Sequence, residues 1–92
     1  MLSSYLPFFQ DSFRAHFGEE VNEIKDLLSN GSNRLYYRLS GDRHTAVGAV
    51  NDDVEENRAF FYMSRFFSDR GIPVPGLIAT DHSGKAYLID DL

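Results

Sequence analysis

Ninety-two residues make one small domain, with a core large enough for modest stability and no cysteine to reinforce it by disulfides or to supply thiolate metal ligands. The formal net charge of −5 argues against non-specific binding to a nucleic-acid backbone, which needs clustered Lys and Arg. No apolar run approaches the roughly 20 residues that span a bilayer, and no basic-then-apolar leader opens the chain, so the reading is a soluble cytoplasmic protein with no membrane partner.

The first element is a helix over residues 4–17, "SYLPFFQDSFRAHF". Tyr5, Phe9, Phe13 and Phe17 recur every fourth residue and form one apolar stripe, read as core. Ser3 or Ser4 can cap its start, Pro7 is tolerable in a first turn, and Gly18 stands where helices end. "VNEIKDLL" from Val21 to Leu28 is ambiguous. Val21, Ile24, Leu27 and Leu28 keep a helical spacing, so periodicity leans towards helix.

The turn "SNGSN" precedes "RLYYRLS", which alternates cleanly. Leu35, Tyr37 and Leu39 share one strand face, and Arg34, Tyr36 and Arg38 share the other. "GDR" is a tight turn and "HTAVGAVN" a second strand, so Arg34–Asn51 reads as a β-hairpin. "DDVEENRAFFYMSRFFSDRG" is the clearest helix, with Asp52 or Asp53 as cap, acidic residues in its first turn and Gly71 at its end. Glu56, Phe60, Met63 and Phe67 lie on one face of it, the face expected against a sheet. Prolines extend "IPVP", and "GLIATD", a turn at "HSG" and "KAYLIDDL" form a last hairpin. Hairpins interleaved with helices give an α+β domain with a mainly antiparallel sheet. Residues 1–20 read as an N-terminal helical extension and residues 21–92 as the sheet and its helix. The stop at "YLIDDL", in mid-strand, reads as a piece of something longer.

In order and spacing, "NGSNRLYYRL", "TAVGAVND", "EENRAFFYMSRFF", "GIPVPGLIATD" and "GKAYLIDDL" resemble the N-terminal lobe of the aminoglycoside phosphotransferase and choline kinase-like family. The bacterial amino-sugar kinase branch is nearest, and the likeness covers roughly Ile24 to Leu92. It implies a protein-kinase-like small lobe: a five-stranded antiparallel sheet with one helix packed on it, and "EIKDLLS" as the first strand. It also implies that ATP lies under the sheet, with Mg2+ held by a second lobe. The γ-phosphoryl would pass to a hydroxyl of a sugar, amino-sugar or similar alcohol, and this chain alone would turn nothing over.

Carried onto this sequence, the family's nucleotide cover falls on Ser29, Asn30, Gly31, Ser32 and Asn33, whose small residues let backbone N–H groups approach phosphate. The small residue over adenine falls on Ala46. Two residues later the family's lysine is replaced by Gly48, and Val50 offers no cation either, so the charge would come from Arg34 or Arg38, or from metal ions and the second lobe. Glu56 is the helix glutamate, placed either to meet an arginine or to favour the helix dipole. Ile89 would line the adenine site, with the Asp90 carbonyl and the Leu92 N–H as backbone contacts. Asp90 and Asp91 tempt a metal reading, but adjacent strand residues face opposite ways. His16, His44 and His82 have no zinc-ligand spacing. The alternative from another class is a non-catalytic binding module, in which Arg34, Tyr36 and Arg38 stack on single-stranded nucleic acid or the surface meets a protein partner.

Overall fold

The computed structural model describes residues 2–27 and 34–91. The fold is α+β, with two helices and one five-stranded sheet. The chain runs through helix α1 (Leu2–Phe17), strands β1 (Glu23–Leu27), β2 (Leu35–Ser40) and β3 (Thr45–Val50), helix α2 (Val54–Asp69), and strands β4 (Leu77–Thr80) and β5 (Ala86–Asp90). The sheet order is β1-β2-β3-β5-β4, and every neighbouring pair is antiparallel.

The segment with helical spacing near Val21 is a strand. Glu23–Leu27 pairs in register with Ser40–Tyr36 of β2. Five residues are too few for a free-standing helix, and the neighbouring strand offers its whole row of backbone partners. Val21 and Ile24 reach the core from there, while Glu23, Lys25 and Asp26 stay exposed.

The period-2 pattern of β2 and β3 decides what each sheet face carries. By register, Leu35, Tyr37 and Leu39 stand with Val50, Gly48 and Ala46 on one face, and Ala86 and Leu88 of β5 join them. Helix α1 covers this face. Phe9 and Phe13 are fully buried there with Leu39, Ala46 and Leu88, and Phe9 lies 6.5 Å from the Tyr37 ring. Gly48 makes the close approach possible: a Cβ at this position would lie 2.8 Å from a Phe9 ring carbon. The aromatic stripe of α1 is core, as its spacing predicts. The helix itself begins at Leu2, so Ser3 and Ser4 fall inside it and Pro7 lies beyond its first turn.

Asp53 is the cap of α2, accepting a hydrogen bond from the Glu56 N–H at 3.0 Å. Gly18 and Gly71, at φ 74° and 75°, follow the two helices in the left-handed conformation that side chains resist. The inward face of α2 differs from the one its apolar residues predict. Asn57 is fully buried and Ser64 nearly so, whereas Met63 is 52 % exposed. Phe60 and Phe61 both rest on Tyr87, each at 5.2 Å. Polar anchors turn the helix this way. Asn57 donates to the carbonyls of Asn51 and Gly84 at 2.8 Å each, and Ser64 donates to the Pro75 carbonyl at 3.3 Å. Left unpaired, each such buried carbonyl would cost about 1–3 kcal/mol.

Candidate functional site

With α1 on one face, the opposite face of the sheet carries Tyr36, Arg38, Thr45, Val47, Ala49, Tyr87, Ile89 and Asp91, as the register requires. The Phe60 and Phe61 contacts with Tyr87 place the α2 rings at this second face. Arg34, which enters β2, belongs to the same group.

Arg34 forms an ion pair with Glu56 of α2, and its other terminal nitrogen donates to the Tyr36 hydroxyl at 3.3 Å. The Tyr36 bond, more than any other contact, raises the Arg34 pKa. Asn51 steadies the pair by donating to Glu56 Oε1 at 3.2 Å and to Asn57 Oδ1 at 3.1 Å. The helix glutamate thus meets an arginine rather than only decorating the first turn. That arginine comes from the start of β2, not from β3. The Tyr87 phenol on the same face is pushed up to about 12, chiefly by burial.

A second pair lies on the same face. Arg38 holds Asp91 bidentately, Nε to Oδ2 at 2.8 Å and Nη2 to Oδ1 at 3.2 Å. The Arg38 bonds, helped by Thr45, hold the Asp91 carboxyl below its ordinary value. Parallel guanidinium–carboxylate bonds fix both planes. The basic-aromatic row Arg34, Tyr36 and Arg38 therefore exists as a row, but both of its cations already have carboxylate partners.

The structure corrects Ala46. It is fully buried under α1, with Gly48 beside it against Phe9, so the pair counted as the adenine and lysine positions is covered by the helix and closed to a ligand. Val47 and Ala49 occupy the second face instead. Ile89 shares that face and is half-buried, in register with Val47. Asp90 points to the α1 side, where its carboxylate accepts from the Gly76 N–H at 3.1 Å. Asp90 and Asp91 therefore do not converge on one ion, and no cluster of three or more potential metal ligands exists among the described residues. Ser29, Asn30, Gly31, Ser32, Asn33 and Leu92 lie outside the described residues.

Sequence reasoning missed Tyr87, Asn51 and Asn57. The asparagines carried a usable signal, since both stand within the stretch "NDDVEEN" at a helix start, where amides commonly tie loops. Tyr87 carried none, because its position in an alternating strand looks like any packed aromatic. No helix among the described residues is long and apolar enough to cross a membrane. No protein-family model, curated protein or solved structure matches this chain.

Proposed function

We propose that this chain is the ATP-binding lobe of a small-molecule phosphotransferase, as its sequence resemblance implies, with the α2 face of the sheet as the nucleotide face. The Arg34–Glu56 pair on that face carries the reading. Kinase-like folds place a cation, oriented by a helix glutamate, against the nucleotide phosphates. Here β3 offers no lysine, and Arg34 takes its place from β2. Held through Tyr36 on one side and Glu56 on the other, Arg34 is oriented before a ligand arrives. Val47 and Ile89 replace Ala46 as the apolar surface for adenine. Arg38, committed to Asp91, orients the start of the hinge rather than the phosphates. The catalytic base, the Mg2+ ligands and the hydroxyl acceptor site belong to a second lobe in this reading, so the chain binds nucleotide and does not transfer phosphoryl groups. Cytoplasmic ATP is the expected source.

Titration of isotopically labelled protein with Mg·ATP tests the proposal. Methyl signals of Val47 and Ile89 should move, while those of Leu39 and Ala46, beneath α1, stay in place. Arg34→Ala should weaken binding about tenfold, the value of one charge-assisted hydrogen-bond set. Static methyl signals at millimolar Mg·ATP would defeat the reading. A short single-stranded oligonucleotide that shifts Tyr36 with strong salt dependence would favour a binding module instead.

A further inference from the structure

Helix α2 has another face, turned away from the sheet. Arg58, Phe61, Tyr62, Arg65, Phe66 and Asp69 line a shallow groove of about 520 Å³ along it. Their spacing describes one stripe of a 3.6-residue helix. Tyr62 is 70 % exposed and Phe66 is 38 % exposed. The rings have neighbours all the same. Tyr62 and Phe66 stack at 6.2 Å, and the Arg70 guanidinium lies 3.5 Å from the Phe66 centroid. The side chains of Arg58, Arg65 and Asp69 make no ion pair or hydrogen bond among the described residues. Exposed aromatic surface between unspent charges of both signs is interface composition.

The order of residues in the stripe says what covers it. Arg58 and Asp69 lie equally far from the midpoint between Met63 and Ser64. So do Tyr62 and Arg65. A two-fold axis through that midpoint, perpendicular to the helix, lays α2 of a second copy antiparallel on the first. Arg58 then faces Asp69 of the second copy, and Tyr62 faces its Arg65. Each contact occurs twice, as in any isologous interface. Opposite charges meet, and a guanidinium meets a tyrosine face. We propose that this chain self-associates through α2 as an antiparallel two-fold dimer. The stripe is self-complementary only in that direction: a parallel pairing would set Arg58 on Arg58 and Asp69 on Asp69. The dimer is read from the mass of the chain and not from ligand binding, so its failure and that of the proposed function are distinguishable.

One helix pair of this length falls near the low end of specific interfaces, so the association is reversible over the micromolar to millimolar range. Sedimentation equilibrium of the 92-residue chain, from about 1 µM to about 1 mM, should pass from 10.5 kDa to twice that mass. Arg58→Asp and Asp69→Arg should each raise the dissociation constant at least about tenfold, by setting like charges together twice. Mixing the two variants restores both opposite-charge contacts, as does combining the substitutions in one chain, and both samples should associate like the wild type. Both positions are exposed, and circular dichroism checks that each variant is folded. A wild type that stays at 10.5 kDa throughout overturns the proposal. So do single variants that associate like the wild type, or folded variants whose mixture stays monomeric.

Discussion

Gly48→Ala tests which face of β3 meets α1. A glycine inside a strand costs roughly 0.5–1 kcal/mol relative to alanine, so the substitution on an uncrowded face would stabilise the protein by about that amount. In this fold the new methyl carbon would lie 2.8 Å from one Phe9 ring carbon and 3.0 Å from two others. The Phe9 ring is fully buried, packed against Tyr37 and Phe8, and cannot swing into solvent. Overpacking of this kind costs about 1–3 kcal/mol. The difference is a net loss of roughly 1 kcal/mol, or about 4–8 °C in the melting midpoint of a domain this size. Thermal and urea unfolding followed by circular dichroism would measure it. Phe9→Leu removes the opposing ring edge, so the double variant should lose less than the two single losses together, with a coupling of about 1 kcal/mol. A Gly48→Ala protein as stable as the wild type, or more stable, would refute the placement of α1 and return Ala46 and Gly48 to the open face.

Two further outcomes follow from the polar anchors. Asn57→Leu strands the Asn51 and Gly84 carbonyls and should cost about 2–4 kcal/mol in urea unfolding, whereas a surface substitution such as Glu55→Leu should change little. Asp91→Asn removes the partner of Arg38. Because the Asp91 pKa is depressed in the fold, its contribution is fully present above the unfolded value of about 4 and is lost as the pH falls through the lower folded value. The stability gap between wild type and Asp91→Asn, read from urea midpoints, should be largest near pH 7, at about 0.5–1 kcal/mol given the half-exposed arginine, and should close below about pH 4. A gap independent of pH would mean that the pair contributes nothing through charge.

The sequence by itself determined the two long helices, the two hairpins and the α+β class, because each element carries its own period. Four aromatics at every fourth position over a run of 14 residues make one helix face, and Leu35, Tyr37 and Leu39 make one strand face. Their burial beside Phe9 is that reading made solid. The five residues of β1 were not legible, since so short a run fits either period and only the β2 backbone settles it. Alternation also divides β3 into two sets without saying which set a helix will cover, and that choice moved Ala46 from a ligand surface into the core. The partners of the arginines lie 22 and 53 residues away in the chain, at separations where no periodicity connects the two ends. Chain topology decided them: the order β1-β2-β3-β5-β4 sets β2 beside β3, with α2 near its start and Asp91 across the sheet from its end. Local pattern states which residues share a face; only packing states what that face meets.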